Sequence, residues 1–265
     1  MIYVNNKEKV NTLKKVMNKD NICVFLDYDK TITSSKSEDS WAASANRKVL
    51  GENIANDLDK YYQKYGSIEF DYSMNEKQRE KAIIEWYDKC MDLYYTYHLT
   101  EQKLKESIEN SKLILREGAK DFLFKLYKNN VPVIILSAGI GNVIEQSLKK
   151  EECYFENIQI ISNFIKFDEN GNMIKFCDNM IHSLNKNIDK SADVKIKEKI
   201  AIKEYKIVIG DLVEDIYMMG EYPESKSLKI GLLNKNVMEN LEIYNKNFDI
   251  VLTEENNFYD IEKYL

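Results

Sequence analysis

Short, unbroken runs of apolar residues recur along this chain, and each gives way abruptly to polar residues. The first run covers residues 22–26 and leads directly into Asp27, Tyr28 and Asp29. An apolar run of this length is typical of a strand buried on both faces, as in a parallel sheet. Similar runs, which predict further strands, cover residues 131–136, 158–168, 207–211, 229–233 and 249–253.

Helical periodicity dominates the region between the first two runs. Apolar and aromatic residues recur at helical spacing from Ile54 to Tyr65, and Gly66 is a typical helix stop. Asn75 and Thr100 are typical helix starts for two further patterns. This arrangement predicts an all-helical cap over residues 34–116, inserted after the first strand of an α/β core formed by residues 1–33 and 117–265. We therefore expect a Rossmann-like core with a mainly parallel sheet.

Composition narrows the possible functions. The chain has 265 residues, 44% of them hydrophobic and 31% charged, which is typical of a globular protein. A net charge of −6 argues against binding to nucleic-acid polymers or membrane surfaces, which need a basic face. The four cysteines lack metal-binding spacing, and the N-terminal residues lack the apolar run of a signal peptide. These features predict reduced thiols and a cytoplasmic location.

Candidate catalytic groups lie at the ends of three predicted strands. Asp27 and Asp29 follow the first, Ser137 follows the second, and Asp211 follows the third, with Asp215 four residues further on. In α/β sheets the ligand crevice lies at the carboxyl ends of the strands. Carboxylates at this edge can bind a hard divalent cation, and an aspartate can act as a covalent nucleophile.

Each of these signals alone has a plain structural alternative. An Asp-x-Asp pair occurs by chance in loops, and a serine–glycine turn can join a strand to a helix without binding an anion. A lysine in the polar loop around residues 182–187 is most simply a solvated charge. The three strand ends together, in this order, are more specific. They predict a site where a cation and a phosphate are bound together.

The motifs resemble those of the haloacid dehalogenase-like superfamily. They read DYDKT at 27–31, SAG at 137–139 and GDLVED at 210–215. Longer segments are similar to the cytosolic 5′-nucleotidase III, or pyrimidine 5′-nucleotidase, branch: SIEFD (67–71), IEWYDK (84–89), LREGAKDF (115–122), VPVIILSAGIGNVIE (131–145), SNFIKFDENG (162–171), HSLNK (182–186), KIGLLN (229–234) and FDIVL (248–252).

The resemblance implies roles for individual residues. Asp27 would be the nucleophile and Asp29 the general acid and base, while Asp27, the Asp29 carbonyl and Asp211 would hold Mg²⁺. Supporting and phosphate-binding roles would fall to Thr31, Asp215, Ser137, Ala138 and Lys186. In the cap, Glu69 would recognise the amino group of a base, near Cys90, where the family has a serine. Trp41 and Trp86 are our candidates for stacking on the base, although helical aromatic residues usually pack inward.

The chain departs from the family pattern in two places. The segment at 34–46 differs from the usual one, and the residues between Asp211 and Asp215 are also changed. We therefore expect an Mg²⁺-dependent phosphatase, with a pyrimidine nucleoside monophosphate as the leading substrate class and a monomer or weak dimer as the assembly. The alternatives are the same chemistry on a non-nucleotide phosphomonoester, or a phosphate-binding protein without catalysis.

Overall fold

The computed structural model describes residues 1–71, 73–176, 179–253 and 256–265. The strands are β1 Ile2–Val4, β2 Ile22–Leu26, β3 Val133–Ile140, β4 Ile158–Asn163, β5 Lys166–Phe167, β6 Met173–Lys175, β7 Tyr205–Gly210, β8 Ser227–Leu233 and β9 Ile250–Thr253. The helices are α1 Lys7–Val16, α2 Ser40–Ser44, α3 Arg47–Leu50, α4 Glu52–Tyr65, α5 Glu76–Thr96, α6 Glu101–Glu109, α7 Ala119–Lys128, α8 Gly141–Lys150, α9 Ile188–Ser191, α10 Val194–Ala201, α11 Val237–Asn247 and α12 Phe258–Glu262.

Seven strands form one sheet in the order β1-β9-β8-β7-β2-β3-β4. All neighbours are parallel except β1, which pairs antiparallel with β9 at one edge. The central strand β2 lies between β7 and β3, with Val24 opposite Ile207 on one side and Val133 on the other. This order places the three predicted motif-bearing strands side by side, so their carboxyl ends meet at one edge.

Both faces of the sheet are covered, which explains why the strands read as unbroken apolar runs. Val24 and Leu26 point into a cluster with residues of α1, α7, α8 and α12. Cys23 and Phe25 point to the opposite face, where they pack with residues of α9 and α10. All four side chains are fully buried. The predicted α/β architecture is confirmed by this three-layer arrangement.

The inserted region contains α2–α6, and its helix boundaries agree with the sequence signals. Gly66 caps α4, and the Asn75 and Thr100 side chains accept hydrogen bonds at the starts of α5 and α6. The short β5–β6 hairpin lies against these helices, since Met173 N donates to Leu99 O at 3.3 Å and Glu101 N to Gly171 O at 2.8 Å. The domain limits at 34 and 116 remain our prediction.

Several boundaries differ from expectation. We predicted that this strand ends at Leu136, but β3 continues to Ile140 and α8 begins directly after it, at Gly141. The extension has a physical cause, because β3 pairs irregularly with β4 beyond Leu136 and Ile140 N donates to Ser40 Oγ. The edge strand β1 and the helices α10–α12 were not predicted.

The cysteines and the lengths of the helices complete the description of the fold. Cys23, Cys90 and Cys153 are free and buried, while Cys177 lies outside the described residues. Among the described residues, no helix has the length and apolar character needed to cross a membrane.

Candidate active site

The backbone of β2 carries Asp27 to the middle of the sheet edge. Asp27 N donates to Ile209 O of β7 at 3.0 Å, so the ladder continues one residue beyond the strand. The chain then turns through Tyr28–Ile32, where Lys30 adopts a left-handed conformation with φ of 62°. This turn directs the side chains of Asp27 and Asp29 towards the ends of neighbouring strands. Asp27 is 3% exposed.

Three carboxylates and one ammonium group meet at this point. Lys186 Nζ donates to Asp27 Oδ1 at 2.5 Å and to Asp215 Oδ1 at 2.8 Å. Burial raises the pKa of Asp211 well above its ordinary value, and the negative charges of Asp27 and Asp215 raise it further. Burial opposes the charged form of Lys186, but the charges of Asp215 and Asp27 hold its pKa above the usual range. Lys186 is therefore an ion-pair partner of the site and not a solvated loop residue.

The same acids fit a divalent cation. One carboxylate oxygen from each of Asp27, Asp211 and Asp215 lies within 4.8 Å of the others. A single lysine cannot neutralise three clustered carboxylates, two of them buried and that of Asp211 half-buried, and oxygen ligands of this kind suit Mg²⁺. Gly210 helps to form the cluster, because a Cβ at that position would collide with the Asp215 carboxylate.

Asp29 is held by the first helix of the inserted region. Ser40 donates to its carboxylate twice, from the backbone N at 2.8 Å and from Oγ at 2.5 Å. Burial raises the pKa of Asp29 to about 8, with the charge of Asp39 adding to the shift. A proton is therefore available on this carboxyl at neutral pH. Gly139 permits the contact, because a Cβ there would collide with the Ser40 hydroxyl.

The end of β3 lies beside this acid. Ser137 is buried, and its Oγ accepts a hydrogen bond from Gly139 N at 3.1 Å. The Ala138 carbonyl accepts hydrogen bonds from Trp41 Nε1 at 3.2 Å and from Asn163 Nδ2 at 3.0 Å. Ser137 and Ala138 thus lie in an extended strand end and not in a turn between a strand and a helix.

Glu69 approaches the site from the inserted region. It lies in the short turn Ile68–Phe70 and is half-buried. Burial raises the pKa of its carboxyl to about 7, while the Ser183 hydroxyl and the charge of Lys186 act in the opposite direction. A carboxylate close to the Lys186 loop can face a ligand whose phosphate is bound at the acids.

The predicted stacking residues belong to an aromatic cluster in the same region. Trp41 packs on Tyr87 with ring centroids 4.7 Å apart, and Trp86 packs on Tyr87 at 5.9 Å. Cys90 is buried among these helices, and burial raises the pKa of its thiol to about 12. Trp41 also contacts the phosphate-binding strand, because its Nε1 donates to the Ala138 carbonyl. Contacts of Trp86 and Cys90 with a base remain a prediction.

Comparison with known proteins decides the family. A family model described as pyrimidine 5′-nucleotidase (UMPH-1) matches residues 29–265. The chain belongs to this family. The 7-methylguanosine phosphate-specific 5′-nucleotidase of Homo sapiens is 30% identical over 239 residues, which cover 88% of this chain and 80% of the relative. The Drosophila melanogaster protein of the same name is 29% identical over 242 residues, covering 88% and 75%.

Solved structures agree with this assignment. Cytosolic 5′-nucleotidase IIIB bound to cytidine has a TM-score of 0.84 and 27% identity, covering 97% of this chain and 88% of the other. A substrate-bound phosphoserine phosphatase, with a TM-score of 0.58 and 18% identity, covers 92% and 98% and shares the fold. This member of the pyrimidine 5′-nucleotidase family is therefore a phosphatase with the haloacid dehalogenase-like fold, as the sequence motifs predicted.

Some residues of the site in this nucleotidase were missed from the sequence. Arg116 is 4% exposed and donates to Thr31 O at 2.9 Å, to Lys30 O and to Asn234 Oδ1 at 3.1 Å, which fixes the turn carrying Asp29. Asn234 Nδ2 in turn lies 3.4 Å from Asp211 Oδ2. Both lie within segments quoted for the family resemblance, LREGAKDF and KIGLLN, but neither segment reveals its tertiary partner. Ser40 lies in the atypical segment and gave no signal.

Proposed function

We propose that this protein is an Mg²⁺-dependent 5′-nucleotidase that hydrolyses pyrimidine nucleoside 5′-monophosphates through a phosphorylated Asp27. The observation that carries the proposal is the meeting of Asp27, Asp211, Asp215 and Lys186 at the edge of the sheet, with Asp29 beside them. Phosphoryl transfer depends mainly on positioning and charge neutralisation, and these residues supply both. The family and its relatives support the nucleotide as substrate.

Asp27 is the nucleophile in this mechanism. Its carboxylate attacks the phosphorus, and the bond from phosphorus to the ribose 5′-oxygen breaks. Lys186 holds Asp27 in place and neutralises charge on the phosphoryl oxygens. Asp27, the Asp29 carbonyl and Asp211 would hold Mg²⁺, supported by Asp215, and the cation would neutralise further negative charge on the phosphoryl group.

Asp29 acts as the general acid in the first step of the reaction and as the general base in the second. Its raised pKa keeps it protonated near neutrality, so it can donate to the departing ribose oxygen. Once ionised, it can accept a proton from the water that hydrolyses the phospho-aspartate. The double hydrogen bond from Ser40 fixes the carboxyl for both steps.

The remaining site residues bind the phosphate. The Ser137 hydroxyl and the Ala138 amide are suited to donate to phosphoryl oxygens. Thr31 Oγ1 is buried and has no hydrogen-bond partner among the described atoms, which supports a contact near the nucleophile. A nucleoside bound through its phosphate would extend towards the inserted region, where Glu69 and the aromatic cluster lie.

Two bases are candidates for the nucleotide substrate, a pyrimidine and 7-methylguanine. A carboxylate at Glu69 suits the exocyclic amine of cytosine, and the family description and the cytidine-bound relative favour a pyrimidine. Several relatives are instead described as specific for 7-methylguanosine phosphate. A base with an exposed amine and a face for aromatic stacking is common to both. The cytoplasmic location and the monomer or weak dimer remain predictions.

The test is a substrate panel with purified protein and Mg²⁺. We expect CMP, UMP or 7-methylguanosine monophosphate to be hydrolysed with a higher kcat/KM than sugar phosphates, phosphoserine and p-nitrophenyl phosphate. Activity confined to the non-nucleotide substrates would refute the substrate class. Phosphate release that survives both EDTA and Asp27→Asn would refute the mechanism.

A matched variant tests recognition of the base. Glu69→Gln retains a hydrogen-bond acceptor but adds a donor and removes the charge. It should lower kcat/KM for CMP about tenfold, as expected when a polar contact to a substrate is lost, and change p-nitrophenyl phosphate hydrolysis little. Asp71→Asn, two residues away, is the control. Equal losses on both substrates would contradict a role in base recognition.

A further inference from the structure

The loop between Asp211 and Asp215 carries a third acid, which the proposed reaction does not use. Glu214 belongs to the turn Val213–Tyr217, in the stretch where the sequence departs from the family pattern. Its Oε1 accepts a hydrogen bond from Arg79 Nη2 at 2.7 Å. Arg79 lies in the first turn of α5, within the inserted region. The pair therefore joins the inserted region to the loop that carries two of the clustered acids.

The same guanidinium nitrogen makes a second contact. Arg79 Nη2 donates to the backbone carbonyl of Glu69 at 2.6 Å. The turn that presents the Glu69 carboxylate and the loop that presents Asp211 and Asp215 are therefore linked through one atom. A displacement of the Arg79 guanidinium would therefore alter both contacts.

The ion pair between Arg79 and Glu214 is largely buried, which restricts its geometry. The Arg79 and Glu214 side chains are only 6% and 12% exposed. Two charges removed from water are tolerated only when paired in good geometry, and an apolar pair would hold such an interface at least as firmly. The ion pair therefore selects one relative placement of the two segments. A second polar contact lies beside it, with Glu80 3.8 Å from His182 Nε2 in the loop leading to Lys186.

We propose that Arg79 is a positioning residue that couples the cation site at Asp211 and Asp215 to base recognition at Glu69. The proposal rests on the function proposed above and adds a linkage between its two sites. Filling the cation site fixes the loop that carries Glu214, and Arg79 then fixes the Glu69 turn for the base. Such coupling is reciprocal, so a bound nucleoside should also tighten cation binding.

A nucleoside without phosphate provides a clean probe, because it cannot reach the cation through a phosphoryl group. We expect Mg²⁺ to strengthen the binding of cytidine or 7-methylguanosine about tenfold in the unaltered protein, within the usual range for coupled sites. Calorimetric titration with and without Mg²⁺ measures this directly and needs no turnover.

The double variant Arg79→Met/Glu214→Leu separates positioning from stability. Either single change leaves one buried charge unpaired and should lower Tm, whereas the double change should restore Tm. The restored protein should nevertheless bind the nucleoside equally with and without Mg²⁺. Arg47→Met is the control, since Arg47 pairs with Glu52 and Asp59 within the inserted region and should retain the tenfold effect.

The outcomes distinguish the two proposals. Nucleotide hydrolysis in the substrate panel together with Mg²⁺-independent nucleoside binding in the unaltered protein would overturn the coupling alone. Full coupling in the stable double variant would also overturn it. No hydrolysis of any nucleoside monophosphate and no binding of either nucleoside would overturn both the proposed function and the linkage built on it.

Discussion

The edge of the sheet and the inserted helical region present functional groups in opposite ways. At the edge, charged residues follow buried strands directly, and the pairing of β7, β2 and β3 brings them together. In the helical region, the candidate recognition groups come from a short turn and from helices whose aromatic rings pack mainly on one another. The edge is an acid cluster with one lysine, whereas the helical region offers one half-buried acid beside an aromatic cluster.

From this contrast we infer that the sheet edge carries out the chemistry and the helical region recognises the substrate. Strand order and register determine where the edge residues lie, so related proteins can keep the same chemistry at this place. Helix packing determines where the recognition residues lie, and packing changes with small substitutions. We expect the loss of the nucleophile or of a cation ligand at the edge to affect all substrates equally, and changes to recognition residues in the helical region to affect substrates unequally.

The largest effect should come from the nucleophile. Asp27→Asn should lower kcat for every phosphomonoester on the order of 10⁴-fold, since removal of a nucleophile eliminates the covalent route. Steady-state assays on CMP and p-nitrophenyl phosphate measure this, with the exposed Asp20→Asn as a matched control. Selective loss of only one substrate would break the division between chemistry and recognition.

Cation binding should be the next most sensitive property. Asp211→Asn should weaken Mg²⁺ affinity at least about 100-fold, because altering a group that only supports a metal ligand already costs about 10–100-fold. Folding should be affected less, because the carboxylate is repelled by Asp27 and Asp215 when no cation is bound. Mg²⁺ titration of activity and of Tm reports both properties. An unchanged Mg²⁺ dependence would contradict the role assigned to Asp211.

Ser40 belongs to the inserted region but contacts Asp29 at the edge of the sheet, so its substitution tests the comparison between the two regions. Ser40→Ala removes the hydroxyl contact to Asp29 Oδ2 but keeps the backbone contact to Oδ1, so kcat should fall about tenfold with little change in KM. Ser44→Ala is the control, because that buried hydroxyl contacts Trp41 O and Tyr94 and not Asp29. An effect on KM alone would place Ser40 in recognition instead of chemistry.

The smallest expected effect is a difference between the pH profiles of kcat for CMP and for p-nitrophenyl phosphate. Asp29 must be protonated to donate to the leaving oxygen, and burial raises its pKa to about 8. The protonated fraction, and with it kcat for CMP, should therefore decrease as pH rises through this value. p-Nitrophenolate leaves without a proton, so its rate should decrease several-fold less. Superimposable profiles would argue against Asp29 as the general acid.

The sequence predicted the edge well, and the reason is physical. Asp27, Ser137 and Asp211 each follow an apolar run, and parallel strands buried on both faces leave an unmistakable pattern of this kind. Asp215 was placed near the same edge by its spacing from Asp211, whereas Lys186 needed the family resemblance, since a lysine in a polar loop gives no signal of its own. The roles of these residues remain predictions, although the structure brings their side chains together.

The contacts that fix the site could not be predicted. Arg116 reaches the Thr31 carbonyl across the fold, and Arg79 reaches Glu214 in the same way. The sequence around each arginine looks like that around an ordinary solvated arginine, because the partner of each lies far away in the sequence. The extension of β3 to Ile140 was also missed, since it depends on Ser40 from another segment. Tertiary hydrogen bonds of this kind leave no periodicity in the sequence.

The most direct test of the account is chemical trapping of the phosphorylated residue. The protein would be mixed with a nucleoside monophosphate and Mg²⁺, quenched during turnover, reduced with borohydride and digested for mass spectrometry. We predict reduction of the Asp27 side chain to homoserine, which requires a phospho-aspartate, and no such product without substrate. Continued turnover with modification at another residue, or at none, would contradict the central role of Asp27.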